Sequence, residues 1–380
     1  MSFRRNYSDY TTGVRRFVAR FPLFNNMLTQ AIFWIAAFIL LFVIIYFANS
    51  AILDSLSLPI EIRLWPNILL ATIMGILYGA SLGILDYFFD KEFFRNKSLG
   101  KIIFFKSVIS LLFLALVFII VRFFLFDAIV VSSLGRKMLP SSDISDTIWL
   151  YFFNIALIYC FFMTLVITFI IQVNKKFGPG VLLPLLLGKY RNPKEENRAF
   201  LFMDLKSSTT IAEALGHIRY STFIRDSFMD INKVLKFYDA EIYQYVGDEI
   251  VVSWRIDERV KKIACAKFFF ACQKQFESRS DYYLEKYGIV PAFKAGLHMG
   301  KVTAVEIGEI KRDIAYHGDT LNTAARIQSM CNHYDKIFLT SAYFSAQSSL
   351  EKYFKTEPLG EILLKGKTNP IGVLSIEESI

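Results

Sequence analysis

Three short stretches hold the side chains best suited to chemistry. FLFMD, residues 200–204, ends an apolar run on Asp204. YQYVGDEIVVSW, residues 243–254, carries Asp248 and Glu249 at a Gly-Asp-Glu step between two β-branched and aromatic runs. GDTLNTAAR, residues 318–326, sets Asn322 and Arg326 four apart. The second stretch predicts a tight hairpin with both carboxylates at its tip. Alone, such a tip is usually a solvated turn, and Glu249 is read as structural. Asp204 changes the reading of Asp248: a first strand lying beside the hairpin puts the two aspartates on neighbouring strand ends, where they could converge on the same ions. Hard cations such as Mg²⁺ take oxygen ligands, usually one or two carboxylates plus substrate phosphates. The run LKSST opens the next helix, and the main-chain N–H groups of Lys206, Ser207, Ser208 and Thr209 at its N-terminus suit an anion. Asn322 and Arg326 share one helical face, and a guanidinium suits the charge that builds in phosphoryl transfer. Lys365 and Lys367, flanking a glycine after the last strand, are placed to hold a terminal phosphate. Metal ligands beside a phosphate cradle point to nucleotide chemistry.

The elements that must position these residues follow from periodicity. FLFMD reads as a buried strand, and Ile211, Leu215, Ile218, Ile224, Phe228, Ile231 and Leu235 form a helical stripe over 209–236. Hairpin strands follow at 240–246 and 249–254, then a helix over 257–279, a strand pair over 291–307, a helix from Asp319, a strand at KIFLT and the closing EILLKGK. The order β-α-β-β-α-β predicts an α+β domain with a ferredoxin-like sheet and helices on one face.

The front of the chain differs in kind. Of 380 residues 38 are Phe, and the mean hydropathy is +0.39, too apolar for a purely soluble protein. Four long apolar runs, about 28–48, 65–85, 103–126 and 149–171, each approach or exceed the roughly 20 residues a helix needs to cross hydrocarbon. Four transmembrane helices are expected, the first too long for a cleavable signal. Lys and Arg number nine in the N-terminal tail and second loop against three in the other two loops, so both termini are expected inside. Lys106 and Arg122, near the ends of the third run, are expected to snorkel toward the interfaces. The division is thus a membrane domain over 1–174, a connector over 175–198 and a cytoplasmic domain over 199–380. Of the net charge of +9, residues 1–188 contribute +7, as expected beside anionic lipid. The soluble half has no basic stripe, which argues against nucleic acid as a partner. Four cysteines without metal spacing read as free thiols.

Taken in order, FMDLKSST, VGDE, GDTLNTAAR and LKGK resemble the class III nucleotidyl cyclases, the adenylate and guanylate cyclase catalytic domain, over about residues 195–375. The resemblance implies that Asp204 and Asp248, helped by the Leu205 carbonyl, bind two Mg²⁺ or Mn²⁺ ions. Asn322 would orient the ribose, Arg326 would stabilise the transition state, and Lys365 would neutralise phosphate. It implies a homodimer, because in this family one chain supplies the aspartates and its partner the Asn-Arg pair. Gln244 and Ala315 occupy the two base-reading positions and match neither usual pair; ATP is favoured as substrate, with GTP the alternative. Ser207 stands where a loop glycine is common. A diguanylate cyclase is disfavoured because Val246 replaces the first glycine of its signature and GDTLNTAAR would go unexplained. A catalytically silent cyclase-like dimerisation module is the rival of another class.

Overall fold

The structure, a computed structural model, describes residues 21–57, 63–92, 98–124, 142–177, 188–235, 237–257, 262–309, 312–363 and 368–378. Lys365, Lys367, the Leu182–Leu187 patch of the connector and much of the loop charge used to orient the helices lie outside these residues. The chain divides into two compact units, one spanning Phe21–Val181 and the other taking in Leu182–Ile380.

The first unit consists of α1 (Pro22–Ser55), α2 (Leu64–Glu92), α3 (Leu99–Phe124) and α4 (Ser142–Phe177). All four contain a stretch long and apolar enough to cross a membrane. The closest pair is α1 with α2, and the reason is a glycine every fourth residue in GILYGASLG. A Cβ on Gly75, Gly79 or Gly83 would come within 2.4–2.5 Å of an α1 backbone atom, so only a bare backbone fits there. Polar side chains tie the remaining helices: Tyr78 donates to the Ser110 carbonyl at 2.7 Å and Tyr159 to the Ala37 carbonyl at 2.7 Å.

Lys106 does not snorkel. It is buried and paired with Asp86 of α2 at 2.9 Å, and the Gln30 amide donates to the same carboxylate at 2.6 Å. The group borders a cavity of about 20 Å³ that Ser110, Thr164 and Thr168 also line. An ammonium among apolar helices needs a counter-charge, and an acid on the neighbouring helix supplies one at shorter reach than the interface.

The second unit is one eight-stranded sheet. In chain order its elements are β1 (Lys194–Leu205), α5 (Ser208–Leu235), β2 (Glu241–Val246), β3 (Glu249–Arg255), α6 (Ile263–Glu277), α7 (Ser280–Tyr287), β4 (Phe293–Ile307), β5 (Asp313–His317), α8 (Asp319–Ser329), β6 (Phe338–Ser341), α9 (Ala342–Ser348), β7 (Phe354–Ile362) and β8 (Ile371–Glu378). The strands lie in the order β2-β3-β1-β4-β6-β8-β7, with β5 paired to β4. The stretch 291–307 is therefore not a strand pair but most of one long strand, whose partner begins at Asp313.

Alternation along β1 divides the two faces. Ala199, Leu201, Met203 and Leu205 enter the main core with α5, α6 and α7, while Phe200 and Phe202 point the other way into a smaller cluster with Val251, Val302 and Ala324. Ala324 belongs to α8, so the helices do not all share one face. Gly296 permits this: a Cβ there would lie 2.3 Å from the Gln328 backbone nitrogen.

The Asp86–Lys106 pair yields a stability prediction. Asp86→Leu leaves an uncompensated ammonium and is expected to cost about 3–5 kcal/mol, while adding Lys106→Leu should recover most of the loss. Thermal unfolding of the full chain in detergent micelles measures both. Equal stability of the single variant and the unmodified chain would contradict the pairing.

Candidate active site

Cross-strand register assembles the centre of the site. Asp204, next to last on β1, lies opposite Glu249 of β3 on one side and Lys294 of β4 on the other. Directly opposed residues share a face, so all three project toward the face that carries α8. The hairpin between β2 and β3 turns in two residues, with Gly247 at φ +61°, a conformation open to glycine at no cost. Asp248 occupies the second turn position and meets Asp204 closely enough for the two carboxyl groups to share a hydrogen bond. The expectation that these aspartates converge on neighbouring strand ends therefore describes the geometry found.

The neighbourhood is electrostatically tense. Burial raises the pKa of Asp204, the Asp248 charge raises it further, and Lys294 and a hydrogen bond from Gln328 (3.4 Å) pull against both. Glu249 is pushed up to about 7, by burial first and then by Asp204 and Asp248. Glu249 is thus more than a structural hairpin residue: it is a half-buried third carboxylate at the site. Among the described residues no group of three or more His, Cys, Asp or Glu is arranged to hold a metal ion. Asp204 and Asp248 nevertheless fit a divalent cation, as facing oxygen donors with excess negative charge, if phosphate and water complete the shell. Leu205 is buried at the last position of β1, opposite Phe293.

The phosphate loop departs from expectation at one residue. The Lys206 N–H donates to the Ala292 carbonyl at 2.8 Å, which ties the loop to the chain entering β4 and removes that donor from a phosphate cradle. Ser207 takes φ +58°, the left-handed conformation that favours glycine, and its carbonyl accepts from Ile211 N at 3.0 Å. The amides of Ser208 and Thr209 fall in the first turn of α5, where N–H groups have no intrahelical acceptor.

The helical stripe expected over 209–236 is interrupted. Gly216 adopts φ 70°, ψ 162° and breaks α5, leaving Ile218 86% exposed. In an unbroken helix residues twelve apart are about 18 Å apart. Across this break the Tyr220 hydroxyl comes near the Ser208 side chain, and its pKa is raised by burial and then by the Asp248 charge. Tyr220 therefore stands between the phosphate loop and the hairpin, a place that its spacing in the sequence does not reveal.

Asn322 and Arg326 are on α8 as expected, but not beside their own chain's aspartates. Thr320, Ala324 and Gln328 face β4, against Gly300 and Gly296. Gln328 is the α8 side chain that reaches Asp204, and it lies about 200° round the helix from Arg326. Asn322 is exposed and Arg326 half-buried on the side turned away from β4.

The two positions expected to read the base lie on β2 and β5. β2 has an irregularity between Ile242, opposite Val252, and Gln244, opposite Val251, with Tyr243 as the extra residue. Gln244 is on the α8 face by alternation from the hairpin tip, and the bulge brings Glu241 to that face as well, opposite Ser253. The Tyr243 and Tyr316 rings are 5.1 Å apart, and both pack on Phe200, so the strand segments that carry Gln244 and Ala315 approach one another, with Ala315 opposite Val305 on the face away from Tyr316. Gln244 is exposed and Ala315 half-buried on β5.

Residues 191–375, just under half of the chain, match the family model of the adenylate and guanylate cyclase catalytic domain. Adenylate cyclase 2 of Rhizobium meliloti (strain 1021) is 36% identical over 210 residues, covering 55% of this chain and 58% of that protein. Guanylate cyclase D of Mus musculus is 26% identical over 197 residues, 51% of this chain and 18% of that one. A bacterial light-regulated adenylyl cyclase of known structure aligns with TM-score 0.48 at 18% identity, covering 57% of this chain and 64% of that one. The chain thus spans little more than half the length of the first relative and less of the second.

The crowding of carboxylates has a pH signature in metal-free protein. Glu249 titrates at about 7 in the folded chain against an ordinary 4.5, so between those values the folded state holds a proton that the unfolded state releases. Stability should therefore be greatest below about pH 4.5 as far as this group is concerned, and fall as pH rises to about 7. Glu249→Gln is expected to flatten that slope and to raise Tm at pH 8 by a few degrees in chelator. Unfolding followed from pH 5 to 8 measures it, and an identical slope in the variant would contradict the assignment.

Proposed function

We propose that the chain is a membrane-bound nucleotide cyclase that converts ATP to cyclic AMP and pyrophosphate as a homodimer with two Mg²⁺ or Mn²⁺ ions per site. The observation that carries this reading is the meeting of Asp204 and Asp248 at one strand end while Asn322 and Arg326 of the same chain face elsewhere. A site divided in that way is complete only when a second copy brings its α8 to the first copy's aspartates. The four long apolar helices support anchorage in the cell membrane, and the excess of Lys and Arg in the N-terminal tail and second loop supports placing the N-terminus and the cyclase domain on the cytoplasmic side.

Divalent ions held by Asp204 and Asp248 would lower the pKa of the ribose 3′-hydroxyl and neutralise the β- and γ-phosphates. The chain's own groups do the rest. The first-turn amides of Ser208 and Thr209 receive phosphate oxygens, and Lys365 adds positive charge to them. Asn322 orients the ribose so that the 3′-oxygen lies in line with the α-phosphorus. Arg326 stabilises the charge that accumulates as that oxygen attacks and pyrophosphate leaves. Gln244 meets the base with one donor and one acceptor.

ATP is supported by the similarity to the adenylate cyclase of Rhizobium meliloti. GTP is the second reading, favoured by Ala315, which offers no polar atom to adenine, and by an amide at Gln244 that suits guanine when turned over.

Product formation by the purified chain, with ATP and GTP separately in Mg²⁺ and in Mn²⁺, tests the reading. Cyclic AMP is expected to dominate, with Asp204→Ala and Arg326→Ala each lowering turnover at least about 10³-fold. No cyclic product from either nucleotide, in folded protein, would favour the silent dimerisation module instead.

A further inference from the structure

The α8-facing side of β1 carries Glu196, Arg198, Phe200, Phe202 and Asp204, alternate residues of one strand. The metal-site end of this row is accounted for above; the other end is not. Arg198 is 2% exposed, six residues from Asp204, and a buried guanidinium has to be held by specific partners. Its Nε donates to Glu196 Oε2 at 2.9 Å, and its Nη1 to Glu241 Oε2 at 3.0 Å and to Ser253 Oγ at 3.2 Å. Its flat face covers the Tyr316 ring at 4.3 Å. Tyr316 follows Ala315 in the chain and packs on Tyr243, which precedes Gln244.

These contacts form a continuous path. The guanidinium holds one face of Tyr316, Tyr316 meets Tyr243, and the two tyrosines flank the residues that face the base. The strand elements involved are an edge strand with a bulge (β2) and a short strand paired on β4 (β5), neither well fixed by backbone bonds alone. Glu241, on β2 itself, ties that edge to Arg198 by its carboxylate. The path also reaches back toward the connector. The Tyr190 hydroxyl donates to Glu196 Oε1 at 3.3 Å, and the Tyr190 carbonyl accepts from the Glu306 N–H at 2.8 Å, next to the β4 residue that pairs with Ala315.

The geometry points to Arg198 as a positioning residue for base recognition: with Glu196 and Glu241 it seats the Tyr243–Tyr316 pair, and so sets where Gln244 and Ala315 meet the nucleotide. This rests on reading Gln244 and Ala315 as the base-reading positions. Arg198 itself touches no nucleotide, since its side chain is enclosed and its Nε and Nη1 donors are held by Glu196, Glu241 and Ser253. Its loss should therefore disturb the choice of base and the binding of nucleotide more than the in-line chemistry at Asp204.

The test is kcat and KM for ATP and for GTP in the full chain, with the half-saturating Mn²⁺ concentration measured alongside. Arg198→Met is expected to change the ATP-to-GTP ratio of kcat/KM by about tenfold, through KM more than kcat, with the Mn²⁺ requirement unmoved. Arg198→Lys should restore only part of the ratio, because an ammonium lacks the planar fork that stacks and bridges two carboxylates. Glu241→Gln, which keeps the shape of the cluster, should shift the ratio in the same direction by less, and it decides the matter alone if Arg198→Met fails to fold. Gln244→Glu serves as the control on the base reading. If Gln244→Glu changes the ratio and the cluster variants scale both nucleotides equally, the role of Arg198 falls and the base reading stands. If none of the variants changes the ratio, both fall.

Discussion

Three carboxylates crowded at the end of one strand repel one another, and much of the cyclase unit is arranged around tolerating that. Asp204, Asp248 and Glu249 share a half-buried place in which Asp248 raises the cost of ionising Asp204, and both raise that of ionising Glu249. Lys294 lies opposite Asp204, is itself buried, and spends its donor on Asn332 at 2.6 Å, so it moderates the charge without cancelling it. The remaining negative charge gives the site its purpose in the proposed reaction. A divalent cation relieves a repulsion that the fold otherwise sustains, so binding energy and site chemistry have the same origin. Active sites commonly carry such strain, supported by well-packed surroundings. Here the support is the main core beneath β1, where Leu201, Ile250, Phe268 and Leu297 are fully enclosed.

The local irregularities of the domain serve that end of the sheet. Gly216 breaks α5 so that Tyr220 returns to Ser208. Ser207 takes a left-handed conformation between strand and helix, and the bulge at Tyr243 turns Glu241 onto the face where Asp204 also lies. Regular elements would have placed none of these groups correctly. The regularity is kept for the frame: β1 pairs along its whole length with β4 and from Arg198 to Asp204 with β3, and that pairing sets the positions of Asp204 and Arg198 together.

The sequence revealed these features unevenly. The hairpin around Gly247 and Asp248, the strand ending on Asp204 and the four long apolar runs are legible because each depends on near neighbours: turn chemistry, alternation and length. Lys294, Gln328 and Tyr220 were not legible, since their part in the site depends on register across β1, on the packing of α8 against glycines in β4 and on a break within a helix. Glu249 was read as structural because the register that sets it directly opposite Asp204 is not visible in the sequence. Lys106 was placed at the interface for the same reason: Asp86 is on another helix, and hydropathy does not pair helices. The glycines at 75, 79 and 83 were a signal of that pairing present in the sequence and passed over. β8 was missed because the run IGVLSIEE follows the last motif that chemistry singled out.

The central claim is that each site draws its aspartates from one chain and its Asn-Arg pair from another. Co-expressing chains that carry Asp204→Ala with chains that carry Arg326→Ala tests it most directly. Each variant alone is expected to be inactive. Random pairing makes half of the dimers mixed, and in each mixed dimer one of the two symmetry-related sites is intact, so about a quarter of the unmodified activity should return. A co-expressed mixture as inactive as either variant alone, with dimers formed, would contradict the account and place the whole site within a single chain.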